Sequence, residues 1–363
     1  MIISRTPFRI SFFGGGTDYP VWYREHGGAV LGTTIDKYCY LTLRDLPPFF
    51  PHRTRLVYSV IETVDDNRQI GHPSVRECLR YVGIDRGLEI HHDGDLPSRT
   101  GLGSSSSFTV GMLNALYSMC GIHRSKMQLA LEAIHVEQEL IGESVGSQDQ
   151  TLAALGGFQR VEFHRDGSIE ALPIVLSADR RREFESHLLL VFTGFVRNAS
   201  DIAQEQIKET PNRTRELEAM RQLVDEATDV ITGHSDITEF GRLLHESWML
   251  KRSLTDLISS KSFDELYDGA MRAGAVGGKM LGAGGGGFAL FFVPPEARAK
   301  VIESLGGLMH VPVRLEHSGA QIVFYEPGDS AEDGEVRERL LARTNGARGS
   351  HGAHSLGAVA AGD

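Results

Sequence analysis

"PSRTGLGSSSSFTVG", residues 97–111, sets Gly101, Gly103 and four consecutive serines directly ahead of an apolar segment. Glycine lets backbone approach a bound group closely. A helix opening at the serines presents unpaired N–H groups and its positive dipole end to an anion. Serine hydroxyls add donors, and one can serve as a hard oxygen ligand to Mg²⁺. The stretch is built like an anion cradle at a helix mouth. A capped helix behind a flexible loop is the alternative that the stretch alone leaves open.

Outward from it, the pattern is helical from Ser104 through Met119, and "GLEIHHDGDLP" (87–97) reads as the strand leading in. Residues 2–13 alternate as a strand, 27–46 give one or two more, and 53–64 a further one. Residues 74–84 read as a helix. A second amphipathic helix, 125–141, carries Leu129, Ala133, Val136 and Leu140 on one stripe. "FQRVEFHRDG" and "LLLVFTGF" are strands, 200–273 is mainly helical, and "GGFALFFVP" and "AQIVFYEP" return to strand. Strands and helices mix without strict βαβ alternation, which favours α+β. The chain divides into an N-terminal unit, 1–190, and a second unit, 191–329. Residues 330–363, acidic and then rich in Gly, Ala and His, are expected to be a flexible tail.

Two further glycine-rich segments and a carboxylate stand out. "FRISFFGGGTDYP" (8–20) ends a strand in three glycines and offers Thr17 and Asp18, a carboxylate suited to polyol hydroxyls. "GGKMLGAGGGGFALFF" (277–292) has seven glycines in the eleven residues from Gly277 to Gly287, which points to a second close backbone approach to a ligand. "HVEQELIGESVGSQDQ" (135–150) places Asp149 after a turn, where it would orient a hydroxyl or take its proton. Glu137 and Glu139 sit on opposite shoulders of the preceding helix, each roughly 70–90° from the stripe at 100° per residue, so periodicity leaves both open. Two motifs are decoys. "GAVGGKM" (274–280) is one residue short of a phosphate-binding GxxxxGK[ST] loop and has Met280 in place of the hydroxyl. "GESVG" (142–146) fits a serine nucleophile elbow, but follows a helix where a strand is required.

Bulk composition narrows the classes. The 363 residues carry a net charge of −11, so no global basic field argues for nucleic acid or anionic membrane. An anionic ligand must be held by local amides and a few cations. Three dispersed cysteines without a CxxC pair read as reduced thiols of a cytoplasmic protein. The opening "MIISRTPFRISFF" has no secretory pattern, and no segment approaches a membrane span.

Residues 5–20, 97–107, 137–150 and 277–287 together resemble the GHMP small-molecule kinases. The family signature P-x-x-x-G-L-x-S-S is matched by Pro97, Gly101, Leu102, Gly103, Ser104 and Ser105. The galactokinase-like opening runs from Arg9 to Tyr19, with Gly15 and Gly16 where Glu-His would stand. The G-x-x-x-G-x-x-D-Q element puts Asp149 at the catalytic aspartate. Within the family the motifs look most like the heptose kinases that phosphorylate D-glycero-D-manno-heptose 7-phosphate at O1, on the way to nucleotide-activated heptose. The resemblance implies a GHMP fold, with an N-terminal domain like ribosomal protein S5 domain 2 and a ferredoxin-like C-terminal domain.

It implies ATP and Mg²⁺ along 101–107, with Ser106 and Ser107 completing the cradle and Gly284 and Gly285 in the third glycine segment. Ser105 and Glu137 are the implied Mg²⁺ ligands, with Glu139 second to Glu137. Asp149 and Arg9 are the implied catalytic pair. Gly15, Gly16, Thr17 and Asp18 would bind the sugar, and Arg197 and Lys279 its terminal phosphate. A small-molecule acceptor is implied, and a homodimer is compatible with it. The alternatives are an anomeric kinase of another sugar (free heptose, octose phosphate, fucose or galactose type), a relative that binds sugar without turnover, and a serine hydrolase or oxidoreductase built on the decoy motifs.

Overall fold

The computed structural model describes residues 1–194, 199–326, 334–340 and 342. In chain order the elements are β1 (Ile2–Phe13), α1 (Pro20–His26), β2 (Gly28–Asp45), β3 (Thr54–Val57), β4 (Ile61–Val64), α2 (Pro73–Val82), β5 (Leu88–Gly94), α3 (Ser104–Met119) and α4 (Lys126–His135). A π-helical turn, Val136–Ile141, continues α4. There follow α5 (Gln148–Leu155), β6 (Phe158–Phe163), β7 (Ile169–Pro173), α6 (Ala178–His187), β8 (Leu188–Phe192), α7 (Ala199–Glu209), α8 (Thr214–Thr232), α9 (Thr238–Arg252) and α10 (Lys261–Arg272). The chain closes with β9 (Gly277–Met280), β10 (Phe288–Phe292), α11 (Arg298–Ser304), β11 (His310–Val311), β12 (Leu315–Glu316) and β13 (Gln321–Tyr325).

The α+β class holds, with two sheets among the described residues. The larger has the order β13-β1-β2-β5-β3-β4, with β6, β7 and β12 joined to it through β2 and β6. The smaller is β11-β8-β10-β9, antiparallel throughout. β1 and β2 are paired antiparallel along most of their length, and both are buried continuously where they meet, β1 from Thr6 to Phe13 and β2 from Gly28 to Ile35, polar residues such as Arg9 and Ser11 included. The 53–64 strand is a β3–β4 hairpin, and 27–46 is one long strand.

The division at residue 190 needs correcting at the far end. β12 pairs with β2 and β13 with β1, so residues 315–325 complete the first sheet rather than the second unit. The expected tail is also shorter. Residues 334–340 are helical, Val336 and Leu340 are buried in the core, and Arg339 donates to the Gly83 carbonyl at 2.8 Å. Their spacing of four places both on one helix face.

What ties the two sheets together is aromatic. Phe240 of α9 meets Phe12 and Phe13 of β1, Phe184 of α6 and Phe292 of β10, with ring centroids 5.0–5.6 Å apart. The pairs with Phe12, Phe13 and Phe184 are edge-to-face and that with Phe292 is tilted, and edge-to-face pairs add stabilisation beyond the area they bury. They also fix β1, which carries Arg9, against the second sheet. All three cysteines are buried and free. No helix among the described residues is long and apolar enough to cross a membrane.

Candidate active site

A cleft of about 650 Å³ is lined by the end of β1, the mouth of α3, the 143–146 loop and the first turn of α5, with α7, the end of α9 and the 279–283 segment closing the other side. The serine stretch folds as the cradle required. Gly103 is the N-cap residue of α3 at φ 74° and supplies no side-chain cap, so the first-turn amides stay open to a ligand. Gly101, at φ 84°, packs so closely on the Leu281 carbonyl that a Cβ there would lie 2.4 Å from it. Only glycine satisfies both the dihedral and the approach. Ser104, Ser105 and Ser106 line the cleft. Ser107 turns away, its hydroxyl donating to the Pro7 carbonyl at 2.8 Å.

At the cleft floor Arg9 and Asp149 form a two-pronged ion pair. Arg9 Nε donates to Asp149 Oδ1 at 2.7 Å and Nη2 to Oδ2 at 2.5 Å, while Nη1 donates to the Gly101 carbonyl at 2.6 Å. Arg9 is 4% exposed. Asp149 sits in the first turn of α5, where the helix dipole favours a carboxylate. Asp18 lies beside it, accepting from the Gly16 and Gln148 amides, and burial raises its pKa. The Ser11 Oγ, Gln148 Oε1 and Gln206 Nε2 atoms are buried with no hydrogen-bond partner among the described residues, and all three residues line the cleft. An array of spare donors and acceptors next to a carboxylate fits a polyol.

The two glutamates separate. Glu139 is exposed, while Glu137 is wholly buried. The hydroxyl donating to Glu137 Oε2 is that of Ser106, at 2.8 Å, and not that of Ser105, which is exposed at the cleft. The Gln150 amide also donates to Oε2, Oε1 accepts no hydrogen bond among the described residues, and the nearby Thr109 hydroxyl favours the charged carboxylate. Burial pushes the Glu137 pKa up to about 7. A buried carboxylate oxygen without a donor, with a hydroxyl beside it, fits a hard divalent cation. The hydroxyl on Glu137 is thus that of Ser106, while Ser105, the expected Mg²⁺ hydroxyl, stands at the cleft without touching Glu137. Among the described residues no group of three or more His, Cys, Asp or Glu could hold a metal by itself, so phosphate oxygens would have to complete the shell.

Other expected residues fall outside the cleft. Pro97, Leu102, Thr17, Gly284 and Gly285 do not line it, and Glu137 does not either: it lies buried behind Ser106, which does. Thr17 Oγ1 instead bonds the Gly14 and Ala29 carbonyls and holds the glycine turn against β2. Gly285 donates to the Ile258 carbonyl, and it is Gly282 and Ala283 that reach the cleft. Lys279 lines the cleft, but its ammonium donates to the Ser11 and Phe12 carbonyls at 2.9 Å each, so it braces the end of β1. Burial lowers its pKa well below the usual lysine value. Arg197 lies outside the described residues. Ser144 is at the cleft, in a loop with a π-helical turn before it, which removes the nucleophile-elbow reading.

Sequence reasoning missed Arg99, Gln148, Gln206 and Lys251. Arg99 is a non-glycine residue at φ 60° on the cleft mouth, a strained position of the kind that clusters at functional sites. Lys251 did carry a signal. It continues the buried stripe of Leu244 and Trp248 on α9 at helical spacing, where a lysine is out of place.

The chain matches the GHMP kinases N terminal domain over residues 57–157 and the GHMP kinases C terminal domain over residues 217–309. It is 29% identical over 315 residues to the D-glycero-alpha-D-manno-heptose 7-phosphate kinase of Campylobacter jejuni, across 84% of this chain and 93% of that one. It is 30% identical over 257 residues to the mevalonate kinase of Pyrococcus horikoshii, across 69% of this chain and 71% of that one. The crystal structure of a D-glycero-D-manno-heptose 1-phosphate kinase from Bacteriodes thetaiotaomicron has the same fold, with a TM-score of 0.73 at 23% identity, covering 90% of this chain and 100% of that one.

Proposed function

The chain belongs to the GHMP kinases and is an ATP-dependent kinase, and from that premise we propose that it phosphorylates the anomeric O1 of a heptose. The acceptor proposed is D-glycero-D-manno-heptose 7-phosphate, giving the 1,7-bisphosphate. One observation carries the reading: the Arg9–Asp149 pair stands between an open helix mouth suited to phosphates and a set of unpartnered polar atoms suited to a polyol. A kinase needs these two surfaces to meet at one reacting oxygen, because phosphoryl transfer asks mostly for positioning and charge stabilisation.

The donor's phosphates are assigned to the first-turn amides of α3 with Ser104 and Ser105. Glu137 and Ser106 are assigned to Mg²⁺, which when bound spreads the charge of the donor's phosphates. Asp149 orients the acceptor hydroxyl and takes its proton. Arg9 holds Asp149 in register and places positive charge beside the developing one. Asp18, Ser11, Gln148 and Gln206 hold sugar hydroxyls. The terminal phosphate is assigned to Arg197 and Arg99, since Lys279 is committed to backbone carbonyls. The reduced, buried cysteines accord with a cytoplasmic location.

An ADP-release assay across heptose, heptose 7-phosphate, mannose, galactose, fucose and mevalonate tests the proposal. The 7-phosphate should give the highest kcat/KM. Preference for mevalonate or for the free sugar would contradict it.

A further inference from the structure

Three buried cations share the cleft, and their donors are not equally spent. Arg9 uses Nε and Nη2 on Asp149 and Nη1 on the Gly101 carbonyl. Lys279 divides its ammonium between two carbonyls of β1. Lys251, 5% exposed near the end of α9, donates to the Gly282 carbonyl. No second hydrogen-bond acceptor for it is found among the described residues. An ammonium has three donors, so two are left unspent on a residue that lines the cleft.

Its position is as informative as its unspent donors. Gly282 abuts the serine loop: a Cβ on it would lie 2.5 Å from the Gly101 Cα. Arg9 bonds the same Gly101. Lys251 therefore stands where the α3 mouth, the late glycine turn and the Arg9–Asp149 pair converge. That is the boundary between the phosphate-binding surface and the polyol-binding surface. Charges from every side bear on it. Arg9 and Lys279 oppose its charge, and Asp18 and Asp149 favour it. Burial is the largest influence and brings its pKa down to about 8, so it is mostly charged at neutral pH. A lysine kept charged at such a cost, with two donors idle, is arranged for an anion.

We propose that Lys251 is a catalytic residue that binds the γ-phosphoryl group itself, holding it as it passes from donor to acceptor. This rests on the kinase reading of the cleft but not on the identity of the acceptor. In the transfer the bond from the γ-phosphorus to the bridging oxygen breaks as the bond to the acceptor oxygen forms. The bridging oxygen leaves with ADP, the acceptor proton passes to Asp149, and Lys251 keeps its own protons.

The test uses the full chain with Mg²⁺ and no acceptor. Calorimetry compares the affinity for ADP with that for AMPPNP, which retains a γ-phosphoryl group. In Lys251→Met, AMPPNP binding should weaken about tenfold, the scale of one charge-assisted contact, while ADP binding changes less than twofold. Lys251→Arg should recover most of the difference. The wild type moved from pH 7 to pH 9.5 should lose the same γ-specific increment, which keeps the test decisive if the methionine variant does not fold. Equal weakening of both nucleotides would make Lys251 a structural strut and overturn the proposal, as would no weakening of either. Because no sugar enters the measurement, failure of the heptose assignment is read separately, from the acceptor panel.

Discussion

Replacing Asp149 with Asn removes the charge and keeps the shape. Arg9, 4% exposed, would lose the partner of both Nε and Nη2 and keep the Gly101 carbonyl. Breaking a buried pair by removing one member usually costs about 3–5 kcal/mol. The Asp149 side chain is 17% exposed and an amide still offers one acceptor, so about 2–3 kcal/mol of stability is expected to go. The effect on turnover is larger in consequence. A group that orients the attacking hydroxyl and takes its proton contributes about 10²–10⁴-fold. A fall in kcat of at least about 10²-fold is therefore expected, or about 2.7 kcal/mol of transition-state stabilisation. ADP affinity should stay within about threefold, since the proposal seats the donor's phosphates on α3. Urea denaturation, calorimetry with Mg·ADP and single-turnover kinetics measure the three quantities. A kcat within tenfold of wild type, with the protein folded, would refute the role of Asp149.

Three more outcomes follow from the same geometry. Ser106→Ala should raise the Mg²⁺ concentration needed for half-maximal rate by about tenfold or more, whereas Ser105→Ala should mainly raise KM for ATP; equal responses in a Mg²⁺ titration would put the metal elsewhere. Lys251 has a folded-state pKa of about 8, below its unfolded value of 10.5, so its contribution to stability is present above pH 10.5 and is lost as pH falls through 8. Raising the pH from 7.5 to 10 should therefore stabilise the wild type relative to Lys251→Met by about 2 kcal/mol, and parallel pH profiles would refute this. Phe240→Ala should cost about 3–5 kcal/mol in urea denaturation, since its ring packs on Phe12, Phe13, Phe184 and Phe292; a loss under about 1 kcal/mol would mean the two sheets are held by other contacts.

The parts of this account that were legible in the sequence are the local ones. Four serines behind Gly101 and Gly103 announce a helix mouth, because the residues that make the cradle are neighbours in the chain. The Arg9–Asp149 pair spans 140 positions and was reached only through resemblance. Glu137 and Glu139 were inseparable at 3.6 residues per turn for a physical reason. They stand on opposite shoulders of the apolar stripe, and from Val136 the helix is π-helical, a change that a fixed 3.6-residue period does not anticipate. Lys279 looked like a free cation, and only the packing of β9 near the end of β1 shows its ammonium bound to carbonyls. The return of β12 and β13 to the first sheet is a pairing over some 280–320 residues, which no window of sequence reports. Val336 and Leu340 were hidden by a charged, glycine-rich surrounding that reads as tail on composition alone.

The central claim is transfer of a phosphoryl group from ATP to O1 of a sugar that already carries a phosphate. ³¹P NMR of the full chain with Mg·ATP and D-glycero-D-manno-heptose 7-phosphate tests it directly. The account predicts a second sugar phosphorus resonance, split by the anomeric proton, growing in step with ADP while the 7-phosphate signal persists. An unchanged 7-phosphate spectrum, under conditions where the same enzyme phosphorylates free heptose or mevalonate, would contradict it.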